Sequence, residues 1–117
     1  MGHLTTHVLD TMNGCPAAGL RVALYRIEGG AARLLRELAL DADGRAGGPL
    51  LQGDDFQSGR YRLEFDVGGY FRGRGVELPD PAFLECVPLD FGIADAASHY
   101  HVPLLASPWS YATYRGS

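Results

Sequence analysis

Residues 60–67 read Arg60-Tyr61-Arg62-Leu63-Glu64-Phe65-Asp66-Val67. Tyr61, Leu63, Phe65 and Val67 alternate with Arg60, Arg62, Glu64 and Asp66. Successive side chains of a strand point to opposite faces, so this stretch predicts a strand with one face buried and one face wet. The same period of two recurs on both sides of it. Leu20, Val22 and Leu24 alternate with Arg21, Ala23 and Tyr25 before Gly29-Gly30, and Val87, Leu89, Phe91 and Ile93 repeat the pattern downstream. Thr5 to Leu9, His99 to Leu105 and Trp109 to Tyr114 read as further strands, the last two separated by Ser107-Pro108. Arg33 to Leu40 is placed to return across the two glycines as a hairpin, although its Leu, Ala, Arg and Glu residues suit a helix as well. Gly68 to Gly75 is the best place for a short helix, weakened by its own glycines. Seven or eight short strands with turn signals between them predict an all-β sandwich, with a barrel as the other architecture.

Composition narrows the function. The 117 residues suffice for one hydrophobic core and predict a single domain, 1–117. Ten Lys and Arg against fourteen Asp and Glu give a net charge of −4, so a nucleic-acid partner lacks its electrostatic footprint. No apolar run approaches the ~20 residues of a membrane-spanning helix, and no membrane association is expected. MGHLTTHVLD lacks a basic segment followed by an apolar one, so a secretory signal is not expected and a cytoplasmic location is. Cys15 and Cys86 are the two cysteines, and free thiols in a reducing compartment are the simplest reading.

Histidine carries the chemical signal. His99 and His101 are two apart in a predicted strand and share a face, while Tyr100, Val102 and Leu104 take the opposite one. His7 shares its face with Thr5 and Leu9, and His3 reads as filler near a chain end. Two chemistries suit these imidazoles. One is a zinc site, for which no nearby spacing completes the ligand set. The other is metal-free acid–base work, for which imidazole titrates in the right range. Arg45 could supply a cation that keeps a histidine neutral and steadies developing negative charge, but spacing alone does not bring it there. No nucleophile elbow, phosphate-binding loop or dinucleotide fingerprint occurs.

The opening LTTHVLDT followed by GCPA, the internal DADGR and the ending HYHVPLLASPWSYATYRGS together resemble the transthyretin-like family. The final YRGS resembles the ending that separates its 5-hydroxyisourate hydrolases from transthyretin. The resemblance covers essentially the whole chain. It implies a sandwich of two four-stranded sheets with one short helix, assembled as a homotetramer, a dimer of dimers whose central channel holds the active sites. It implies hydrolysis of 5-hydroxyisourate to 2-oxo-4-hydroxy-4-carboxy-5-ureidoimidazoline in urate breakdown, with no cofactor and no metal. Residue by residue, it implies catalytic roles for His7, Arg45 and His101. It places Tyr114 and Ser117 in substrate binding, with His99 beside them in a less defined role. Transthyretin carries other residues at the catalytic positions and binds a small aromatic ligand instead, which is the competing, non-catalytic expectation. Ala106 and Trp109 depart from the family's more usual Leu and Tyr, and residues 73–85 are unusual for it, leaving the helix and the strand after it undefined.

Overall fold

A computed structural model describes residues 2–116. Two sheets face each other. The first is built around a parallel pair, β1 (His3–Asp10) and β8 (His99–Ala106). β9 (Tyr111–Thr113) lies antiparallel beside β8, and the two-residue strands β2 (Cys15–Pro16) and β5 (Leu51–Gln52) flank the far side of β1. The second sheet runs β4 (Ala31–Ala39), β3 (Arg21–Glu28), β6 (Gly59–Phe65), β7 (Val87–Ile93), antiparallel throughout. The sheets therefore hold five and four strands rather than four each. The extra count comes from β2 and β5, which are too short to leave a periodic trace in the sequence.

The predicted alternation becomes the core. Leu4, Val8, Val102 and Leu104 of the first sheet meet Val22, Leu24, Leu63, Phe65 and Val87 of the second, all buried. The ambiguous Arg33 stretch is a strand, paired with β3 across Gly29-Gly30. Pairing with a neighbour outweighs the weak local preference of Leu and Glu for helix.

The boundary after β6 differs from the sequence reading in kind, strand giving way to helix. The strand ends at Phe65, and Val67 opens α1 (Val67–Gly73) instead of continuing it. Asp66 is the cause: its carboxylate accepts the Gly69 N–H at 3.1 Å and caps the helix. Tyr70, Phe71 and Val67 then bury the helix against the open end of the sandwich. The Tyr70 hydroxyl donates to Asp10 at 2.8 Å and so ties α1 to the end of β1. The long segment between Gly73 and β7 contains no strand and is held to α1 by the Arg72–Glu85 ion pair.

Candidate active site

β1 alternates strictly, with Leu4, Thr6, Val8 and Asp10 buried and His3, Thr5, His7 and Leu9 half-buried on the other face. The parallel register sets His3 opposite His99, Thr5 opposite His101 and His7 opposite Pro103. Adjacent strands lie about 4.8 Å apart. One outward sheet face thus carries all four histidines, in three successive cross-strand rows: His3 with His99, Thr5 with His101, and His7 with Pro103.

Arg45 comes to this face by a turn. The turn is closed by Gly44 donating to the Asp41 carbonyl at 2.9 Å, Asp41 donating to the Arg45 carbonyl at 2.8 Å, and Arg45 N–H donating to the Asp41 carboxylate at 3.0 Å. Gly44 sits at φ +72°, and a Cβ there would lie 2.5 Å from the Val8 carbonyl oxygen. Only glycine lets the turn press this closely on β1. The result is a β-bridge between Arg45 and His7, on the side of β1 away from β8. On the outer side of β8 the C-terminal segment does the same for His101. Gly116 bridges to it, with Gly116 N–H donating to the His101 carbonyl at 2.7 Å. A Cβ on Gly116 would stand 2.8 Å from the imidazole Cδ2.

The polar contacts are specific. Thr5 Oγ1 lies 2.8 Å from His101 Nδ1 and 3.1 Å from His99 Nε2. The His99 ring stacks on His3 with centroids 3.8 Å apart. His101 is held below the ordinary histidine value by burial, then by the Arg45 guanidinium and by His7 and His99. His7 is also lowered, by burial and by Arg45, against the opposing pull of the Asp43 backbone and of the Asp43 and Asp41 carboxylates. His99 is lowered by burial, His3 and Arg115. The lowered basicity of His7 and His101 favours their neutral form beside the Arg45 cation, a suitable set for taking a proton from water and holding an oxyanion.

Of the sequence-predicted residues, His7, Arg45, His99 and His101 converge. Tyr114 does not join them: it is exposed and lines a separate cleft with Phe91, Tyr100 and Arg115. Ser117 lies outside the described residues, next to the Gly116 that adjoins His101. Sequence reasoning missed Thr5 and His3. Thr5 was findable, since it shares the face of His7 two residues away. His3 is an ordered strand residue stacked on His99, not terminal filler. For a metal, among the described residues no three His, Cys, Asp or Glu side chains group as a ligand set. His99 Nε2 and His101 Nδ1 are both turned to Thr5.

Another cleft lies between Arg26, Arg36, Leu50 and Tyr61, and its Arg26 and Arg36 guanidiniums are already engaged. Arg26 donates to the Tyr61 hydroxyl and the Ser58 carbonyl, and Arg36 donates to the Pro49 and Leu50 carbonyls. These contacts hold loops to the sheet and leave no convergent chemistry.

Comparison with known proteins bears on this arrangement. The model of the family described as HIUase/Transthyretin matches residues 4–116. The chain is 63% identical to 5-hydroxyisourate hydrolase 2 of Rhizobium meliloti over 99% of its length and 97% of that protein's. It superposes on a structure of Klebsiella pneumoniae 5-hydroxyisourate hydrolase with a TM-score of 0.82 and 35% identity, each chain fully covered. It also superposes on a crystal structure of (S)-allantoin synthase with a TM-score of 0.93 and 49% identity. There it covers 99% of its own length but spans only 44% of the longer chain.

Proposed function

Since this chain belongs to the HIUase/transthyretin family, we propose that it hydrolyses 5-hydroxyisourate, with His7, Arg45 and His101 as the catalytic groups. The observation that carries the assignment is their placement: two imidazoles of lowered basicity and one guanidinium on a single face of the β1–β8 pair.

The reaction adds one water across a ring amide. A neutral imidazole accepts a proton from water as the water oxygen bonds to the acyl carbon. The tetrahedral intermediate places negative charge on the former carbonyl oxygen, and Arg45 is the group suited to hold it. The C–N bond then breaks, and the imidazolium returns the proton to the leaving ring nitrogen. Every step uses a side chain or water. Arg45 contributes twice, by attracting an oxygen-rich ring and by keeping the histidines in the neutral form that can accept a proton.

The active assembly is a homotetramer. In the single chain His7 and His101 are half-buried and Arg45 is exposed on the outward sheet face. A second copy across a two-fold axis would wall that face and exclude bulk water. The sheets also end in edge strands paired on one side only, β9 in the first sheet and β4 and β7 in the second, which association can cover. Tyr114 and Ser117 belong, in this reading, to the channel so formed, and the free thiols Cys15 and Cys86 suit a cytoplasmic location.

The absorbance decay of freshly generated 5-hydroxyisourate tests the activity. The protein at catalytic concentration should speed the decay well beyond the spontaneous rate. An unchanged decay with stoichiometric ligand binding would make the chain a carrier of the transthyretin type instead.

A further inference from the structure

Of the four histidines on this face, His7 and His101 are the two candidates to accept the water proton. Thr5 decides between them. A threonine hydroxyl has one proton to donate and can accept a second hydrogen bond. Between His99 Nε2 and His101 Nδ1 it can give its one proton to only one ring, and its lone pairs are free to accept from the other. The contact to His101 is 2.8 Å and that to His99 is 3.1 Å. Hydroxyl-donated bonds run shorter than ring N–H-donated ones. The chain of bonds then runs from His99 Nε2–H to Thr5 Oγ1, and from Thr5 O–H to His101 Nδ1.

Resting on the hydrolase reading above, we propose that Thr5 is a positioning residue that fixes His101 as the Nε2–H tautomer, a hydrogen-bond donor to the substrate, and leaves His7 as the general base. With Nδ1 accepting from Thr5, the neutral His101 ring must carry its proton on Nε2. His7 has the complementary arrangement. Its neutral ring, beside Arg45 across the β-bridge, has one N–H and one bare lone pair, and the Thr5 hydroxyl, engaged by His99 and His101, does not occupy either. The water proton goes to that lone pair, and the same imidazolium protonates the leaving nitrogen. His101 remains neutral throughout, donating from Nε2. The acid–base work is thus divided between two imidazoles by hydrogen bonds outside the reacting atoms.

The test separates this assignment from the activity itself. Long-range proton–nitrogen NMR of 15N-histidine-labelled enzyme without substrate, at a pH well above 6.5, reads the tautomer of each ring directly. The wild type should show His101 protonated at Nε2. Thr5→Val, of similar shape, should turn His101 into a mixture of tautomers and lower kcat about tenfold, the worth of one hydrogen bond, with KM little changed. Thr5→Ser should restore both the tautomer and kcat. A wild-type His101 protonated at Nδ1, or a valine variant with unchanged tautomer and kcat, would overturn the assignment while hydrolysis by the wild type stood. The expected tautomer in a protein that does not hydrolyse 5-hydroxyisourate would overturn the function and the catalytic role of Thr5 with it.

Discussion

At the scale of single residues, Arg45 is the most informative position because it acts in two ways. As a cation it lowers His7 and His101, and as a planar fork it can grip an oxyanion at two points. The free base is the active form, so kcat/KM should fall as pH drops through a value below the ordinary histidine one and be flat at pH well above 6.5. Arg45→Gln removes a charge that disfavours protonation, so its acid limb should move to higher pH. Arg45→Lys keeps the charge, so its limb should stay in place while kcat/KM falls about tenfold or more for want of the two-point contact. Rate profiles across pH for the three proteins check this. A glutamine limb at or below the wild-type position would contradict the electrostatic role. His7 and His101 were legible as chemical residues from their parity in β-patterned sequence. Their approach to Arg45 was not, because the bridge joins positions far apart in the chain, and no spacing rule reports a long-range pairing. The resemblance of TTHVLD, DADGR and HYHVP to the family's motifs supplied that link.

At the scale of elements, two glycines control how closely neighbouring segments approach the histidines. Gly44 is needed for its left-handed backbone and for its contact with the Val8 carbonyl. Gly44→Ala should cost about 2 kcal/mol of stability, the left-handed penalty plus a backbone clash, and should lower activity by displacing Arg45. Gly116 has no such backbone demand and meets the His101 ring instead. Gly116→Ala should leave the thermal midpoint near that of the wild type and lower kcat. Thermal melts and initial rates on both variants separate the two cases, and full activity in Gly116→Ala would remove that contact from the account. The elements themselves were largely readable. β6 and β7 declared themselves by alternation, and β4 was readable only as the return arm of a glycine hairpin, since its composition fits helix as well. Val67 continued the alternation by residue type, yet Asp66 turns the chain into a helix by binding Gly69 N–H. Such a capping bond competes with the strand pattern and is invisible to a hydrophobic count. The two-residue strands β2 and β5 fell below any periodic signal.

At the scale of the whole molecule, the site lies on an open sheet face with a conspicuous set of exposed aromatics around the chain's C-terminal third. Trp109 and Phe83 stack on each other at the surface, and Tyr111 and Tyr114 are exposed as well. Association of four chains would give the catalytic face its walls. Light scattering at micromolar concentration should return four times the 12.6 kDa of the chain, and a value near 12.6 kDa would remove the channel and with it the exclusion of water from the site. The central claim, that two imidazoles and a guanidinium on the β1–β8 face open a cyclic amide, is tested most directly by the decay rate of 5-hydroxyisourate with His7→Ala and His101→Ala. Each variant should fold as the wild type does and lose about 10²–10⁴ in kcat, the usual worth of positioned acid–base assistance. Turnover near the wild-type rate in both would contradict the account.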